Sequence, residues 1–147
     1  MDNTTTPETW KTIPGYEGQY EVSDQGRVRS LDRIVHQRGR ASRLFPGRIL
    51  RPNLVGKGYD SGVGYHALTL CPEPGTRRRA YIHRLVMAAF VGPCPPGMEV
   101  CHEDGDPRNN ALYNLRYDTP SANNMDKWRH GTMLNTYTGQ PAKRRAA

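Results

Sequence analysis

Apolar and polar positions alternate in short runs through the first part of the chain, then switch to a helical period near residue 82. Tyr20-Glu21-Val22 alternates as a strand does, Ser23-Asp24-Gln25-Gly26 reads as a turn, and Arg27-Val28-Arg29-Ser30-Leu31 alternates again. The pattern predicts a small hairpin. Val22, Val28 and Leu31 take its inner face, and Arg27 and Arg29 share the other. Ahead of it, Pro14-Gly15 is a type II turn signal, because proline presets one φ and glycine supplies the positive φ. Gly64 to Leu70 reads as a further strand, and Gly75-Thr76 marks a turn. Ile82, Leu85, Val86, Ala89 and Phe90 then fall at i, i+3, i+4, i+7 and i+8, a core-facing stripe. The corresponding helix runs from about His83 to Val91 and is stopped by Gly92-Pro93.

The second half of the chain holds a compact succession. Glu99-Val100-Cys101-His102 is a short strand, followed by a polar loop from Glu103 to Asn110 in which Asp106 precedes Pro107 and can cap a brief helical turn. Asn114 to Asp118 is a second strand with Leu115 and Tyr117 on one face. Thr119-Pro120 is an N-cap with proline at the first helical position, and the helix runs to about His130 before Gly131 ends it. The predicted order is strand, polar loop, strand, helix.

Composition narrows the class. Of 147 residues, 35% are hydrophobic, and 15 glycines with 12 prolines favour short strands and turns over long helices. The mean hydropathy of −0.80 implies a small core. The net charge of +7 points to a polyanionic partner, with nucleic acid first. Between Arg27 and Arg51 stand eight arginines (Arg27, Arg29, Arg33, Arg38, Arg40, Arg43, Arg48 and Arg51) against the single acid Asp32, a net +7 in that stretch. Arginine, with its bidentate fork, outnumbers lysine there, which favours a phosphate backbone as partner, and His36 to Ser42 reads as a loop that orders on it. Arg77-Arg78-Arg79 and the tail Lys143-Arg144-Arg145 add to the charge. No apolar run approaches the ~20 residues of a membrane span, and Met1 to Thr6 carries neither a basic flank nor an apolar stretch. Cys71, Cys94 and Cys101 are odd in number and lack a CxxC pair, so free thiols in a reducing cytoplasm are expected.

The segment from residue 101 to 123 is dense in His, Asp and Asn. Phosphodiester hydrolysis needs a base to activate water, an electrophile to stabilise developing charge, and a frame that holds both in register. A histidine at a strand end can be the base, and oxygen ligands from facing elements can hold a hard divalent ion. His83 reads as a packing or phosphate-contact residue and His130 as a partner of the helix dipole. His36 and His66 carry no signal, and Trp10 and Trp128 read as core.

Here the residues meet a known pattern. Cys101-His102-Glu103-Asp104-Gly105-Asp106-Pro107-Arg108-Asn109-Asn110, continued by Asn114-Leu115-Arg116-Tyr117 and Asn123, resembles the HNH endonucleases. Upstream, Ile82-His83-Arg84-Leu85-Val86 with Ala89-Phe90 is similar to what precedes that motif in phage homing endonucleases. Trp10 with Ile13-Pro14-Gly15-Tyr16-Glu17-Gly18, Tyr20-Glu21-Val22-Ser23 and Gly26-Arg27-Val28-Arg29-Ser30 resembles their NUMOD-type DNA-binding module. The resemblance implies an α+β protein. Its parts are a β-rich DNA-binding module over residues 8–51, a ββα-metal nuclease core over 52–131, and a basic, flexible tail over 132–147. It implies a metal-dependent endonuclease acting on double-stranded DNA, as a monomer or homodimer, in the cytoplasm of a host cell and of phage or mobile-element origin.

Residue by residue, the resemblance makes His102 the general base and has Asn114 hold the loop and orient His102 by hydrogen bonding. Asn123 becomes a metal ligand. Mg²⁺ is the favoured ion, with Mn²⁺ or Zn²⁺ as alternatives. A carboxylate often precedes the first His in such proteins, and Cys101 stands there instead. A thiol is a poor ligand for Mg²⁺. Either Cys101 points into the core and Asp104, water or phosphate completes the site, or Cys101 binds a softer metal, or the site is impaired. The first fits a strand-end cysteine best. Arg27, Arg29, Arg33, Arg38, Arg40, Arg43, Arg48, Arg77, Arg78, Arg79 and Arg84 are the expected DNA contacts. Cys101 also keeps open a second class, a DNA-binding protein that retains the finger without cutting. A third, an RNA-binding protein, rests on charge alone.

Overall fold

The structure is a computed structural model, and it describes residues 7–36, 39–56 and 64–131. The expected 132–147 tail and Arg38 lie outside the described residues. The elements run β1 (Trp10–Thr12), β2 (Tyr20–Ser23), β3 (Val28–Ser30), β4 (Arg33–Val35), β5 (Arg43–Phe45), β6 (Arg48–Ile49), β7 (Asn53–Val55), β8 (Tyr65–Leu70), β9 (Arg78–Tyr81), α1 (Ile82–Phe90), β10 (Glu99–His102), a 3-10 turn (Leu112–Asn114), β11 (Leu115–Asp118) and α2 (Pro120–Arg129). The class is α+β, as the sequence predicts.

Four antiparallel sheets result, in the orders β1-β2-β3-β6, β4-β5, β7-β8-β9 and β10-β11. The hairpin expected at residues 20–31 forms, with Val22 opposite Val28. Both valines are fully buried, while Leu31 is only half-buried. The Pro14-Gly15 turn closes with Tyr16 N–H donating to the Ile13 carbonyl at 3.0 Å, and Gly15 takes the positive φ of 81° that a type II turn needs. Arg33–Val35 and Arg43–Phe45 pair as the β4-β5 hairpin, whose Ile34 and Leu44 are exposed, and the expected loop His36 to Ser42 lies between them, with 37–38 outside the described residues.

One core joins the two ends of the chain. Ile13, Tyr20, Val22 and Val28 pack with Leu68, Leu70, Ile82, Leu85, Val86, Met87 and Leu115. The α1 stripe supplies its centre, and burying side chains of this kind contributes about 1.5–3 kcal/mol each. The N-terminal hairpin also touches the polar loop directly. Leu112 N–H donates to the Asp24 carbonyl at 2.7 Å, and a Cβ on Gly26 would stand 2.8 Å from the Asn110 carbonyl oxygen. Helix α2 starts as expected, with Ala122 N–H donating to the Thr119 hydroxyl at 3.2 Å, and Gly131 follows its end with φ 65°. No helix among the described residues is long and apolar enough to cross a membrane.

Candidate active site

The β10-β11 register sets which side chains meet. Val100 lies opposite Tyr117, Cys101 opposite Arg116 and His102 opposite Leu115. Opposite residues share a face, so Val100, His102, Leu115 and Tyr117 turn one way, toward the core, and Glu99, Cys101, Arg116 and Asp118 the other.

His102 ends β10. Its half-buried ring meets those of His83, with centroids 5.3 Å apart, and Tyr65, at 6.2 Å. Its Nε2 donates to Oδ1 of Asn110 at 3.2 Å. Asn110 in turn donates Nδ2 to the Arg108 carbonyl at 3.1 Å and reaches Nδ1 of His66 at 3.4 Å. An amide oxygen only accepts, so this bond places the proton of a neutral His102 on Nε2 and leaves the Nδ1 lone pair as the base. Burial holds the imidazole below the ordinary value of 6.5, although the Asn110 bond and the charges of Asp104 and Asp106 pull the other way. The ring is therefore neutral at neutral pH, as a general base must be.

Asn114 is buried and ties the loop closed. Its Oδ1 accepts from Asp104 N–H at 3.1 Å, and its Nδ2 donates to Asp104 Oδ1 and to the Asn109 carbonyl, both at 2.9 Å. The loop-holding role stands where it was expected, but the partner of the His102 ring is Asn110. Asn114 sits in the 3-10 turn, ten residues from Asp104, and its amide groups are taken up by loop backbone and Asp104.

On the opposite face, Arg116 binds Asp126 of α2, Glu103 at 2.8 Å and Asp118 at 3.1 Å. Asp126 is buried, and this ion network fastens the hairpin to the helix. Cys101 is 1% exposed, with Sγ 3.9 Å from the Glu99 carbonyl oxygen. Burial pushes its thiol up to about 11, with Arg116 opposing and Glu99, Asp118 and Asp126 adding to the rise. The thiol is buried on the face of β10 that turns away from the core, beside Arg116.

Residues 8–63 match the NUMOD4 motif, and residues 80–125 match the HNH endonuclease family. DNA endonuclease I-HmuI of Bacillus phage SP01 is 31% identical over 134 residues, covering 91% of this chain and 66% of that protein. YosQ, an SPbeta prophage-derived protein of Bacillus subtilis (strain 168), is 38% identical over 72 residues, 49% of this chain and 39% of its own length. A solved structure described as DNA binding and cleavage by the HNH homing endonuclease I-HmuI superposes with a TM-score of 0.67 at 30% identity, covering 88% of this chain and 63% of that one. This chain is a homologue of the HNH homing endonucleases. It spans less than two thirds of the length of each of these relatives.

HNH nucleases generally use a divalent metal, and the donor set here can be tested against one. Among the described residues no group of three or more His, Cys, Asp or Glu side chains is arranged to hold an ion. Asp104 accepts from Asn109 Nδ2 at 2.7 Å, Asp106 N–H at 2.8 Å and Asn114 Nδ2 at 2.9 Å, which holds its carboxyl below the usual range despite the cost of desolvation. A cavity of about 220 Å³ on the far side of the His83 ring contact from His102 offers more oxygen donors. Its lining includes His83, Arg84, Glu99 and Asn123. Asn123 donates Nδ2 to Glu99. His83 is buried with Nδ1 lacking any hydrogen-bond partner, and burial, with the charges of His102 and Arg84, takes its pKa down to about 3. The Glu99 carboxylate and the Asn123 amide oxygen suit a hard divalent ion that takes water and phosphate as its remaining ligands.

The expected DNA contacts divide into two groups. Arg27 pairs with Glu8 and Arg29 with Glu21, and both guanidinium groups lie against the Trp10 ring, at 5.8 and 4.3 Å. Arg33 lies over Tyr20 at 5.3 Å. Arg40, Arg43, Arg48, Arg77, Arg78, Arg79 and Arg84 are exposed, and Arg84 reaches the cavity. Sequence reasoning missed Asn110, His66 and Glu99. The paired Asn109-Asn110 of the motif was a signal for the first; the other two become visible only in three dimensions.

Proposed function

We propose that this chain is a metal-dependent endonuclease that hydrolyses phosphodiester bonds of double-stranded DNA. The observation that carries the reading is a neutral His102 tethered to Asn110, its ring packed on His83, which lines a cavity with Glu99, Asn123 and Arg84. The relatives support it, since I-HmuI is named a DNA endonuclease and its structure is described as binding and cleaving DNA.

Exposed arginines hold the backbone, and Arg84 at the cavity draws the scissile phosphate to it. Nδ1 of His102 accepts a proton from water as the water oxygen bonds to phosphorus and the bond to the leaving sugar oxygen breaks. The Nε2 bond to Asn110 steadies the imidazolium that forms. Asn114 keeps the loop from drifting. Asn123 would hold the ion together with a carboxylate beside it. When bound, a divalent ion stabilises charge on the phosphate and the leaving oxygen, and Mg²⁺ is the first choice for oxygen donors. One finger per chain nicks as a monomer, and cutting both strands takes a homodimer or a second encounter.

The non-cutting reading rests on one feature, the protonated thiol of Cys101 directly before the base. Supercoiled plasmid incubated with the full chain and Mg²⁺ or Mn²⁺, against a chelator control, separates the two. Metal-dependent conversion to open circles supports the endonuclease, and retardation without conversion supports the binder.

A further inference from the structure

Cys101 is not part of the cavity lining: it is 1% exposed, on the face of β10 that meets α2. One strand repeat earlier on that face stands Glu99, half-buried at the wall of the cavity that His83, Arg84 and Asn123 also line. Its carboxylate already meets the side chain of Asn123 from α2, across a separation of 24 residues. A carboxylate has about four lone-pair sites, so one donated N–H leaves it able to bind a cation. The cavity wall also includes His83. The imidazole of His83 is 6% exposed, and its Nδ1 has no hydrogen-bond partner.

We propose that Glu99 and Asn123 together form the divalent-cation site of this protein, with Glu99 providing the carboxylate that Cys101 does not. The assignment rests on the metal-dependent reading above. The ion would lie in the cavity lined by His83 and Arg84, and the His83 ring packs against that of His102.

Mn²⁺ binding to the full chain, read by the loss of the free-ion electron paramagnetic resonance signal, tests it without reference to activity. Glu99→Gln should weaken binding by about tenfold or more, while Cys101→Ala stays within about twofold of wild type. The metal-free melting temperature of each variant reports folding. If Glu99→Gln does not fold, Glu99→Asp, which keeps the charge on a shorter stem, should fold and still bind Mn²⁺ more weakly than wild type. Wild-type binding in Glu99→Gln, loss of binding in Cys101→Ala, or no saturable binding by wild type overturns the site. Plasmid nicking measured alongside separates this from the reading beneath it. Nicking by wild type with unchanged Mn²⁺ binding in Glu99→Gln keeps the endonuclease and discards the site. Mn²⁺ binding that depends on Glu99, with no nicking under any metal, keeps the site and discards the endonuclease.

Discussion

Nε2 of His102 lies 3.2 Å from Oδ1 of Asn110, and this bond decides which imidazole nitrogen is basic. Asn110→Ala frees the ring to change tautomer and to rotate. Single-turnover cleavage should fall by about 10- to 100-fold, a part of the 10²–10⁴ that a general base contributes, with DNA affinity unchanged. Asn110→Asp keeps an acceptor for Nε2 and should retain more activity than the alanine variant, an order that a purely structural role for Asn110 would not produce.

The pH profile follows from the burial of the same ring. A base acts when neutral, and burial holds His102 below the 6.5 of a free imidazole. The plateau of the cleavage rate should therefore extend to lower pH than an exposed histidine allows, with the acid limb centred below that value. A limb at or above it, measured at saturating metal, would show that the ring titrates as an exposed group.

Asn114→Ala removes three hydrogen bonds and leaves the Asp104 N–H and the Asn109 carbonyl without their side-chain partner. The expected loss is about 1–3 kcal/mol of folding stability, since these groups lie partly buried. Urea denaturation followed by circular dichroism measures it. The loop should loosen as well, so activity should fall further than the stability loss alone explains.

Arg116 is the joint between the β10-β11 hairpin and α2. Arg116→Met removes the main partner of buried Asp126, leaving its 3.3 Å contact with the exposed Arg129. Breaking a fully buried pair costs about 3–5 kcal/mol; Arg116 is partly exposed, so about 1–3 kcal/mol is expected. The double variant Arg116→Met with Asp126→Leu should recover part of that loss, because no buried charge remains without its partner. A double variant as unstable as the sum of the two single changes would show that the pair is not coupled.

The finger was legible because its signals are local. Thr119-Pro120, Gly131 and the i, i+3, i+4 stripe of α1 each act within one or two turns of chain, and each stands where it was read. Strands β4 to β7 and β9 were not, because they are short and mostly exposed, so they lack a buried face to impose alternation. The candidate site was half legible for the same reason. His102, Asn114 and Asn123 lie in one motif, whereas the His66–Asn110 contact spans 44 residues and the Glu99–Asn123 contact spans 24, separations that no periodicity records.

The central claim is that His102 is the base of a metal-dependent cut in DNA. The direct test compares wild type with His102→Ala on supercoiled plasmid in Mg²⁺, Mn²⁺ and a chelator, with DNA retardation followed on the same samples. The account predicts nicking by wild type that the chelator abolishes. It predicts a loss of about 10²–10⁴-fold in His102→Ala with retardation unchanged. Cutting that survives in His102→Ala at the wild-type rate, or retardation without cutting by wild type under every metal, would contradict it.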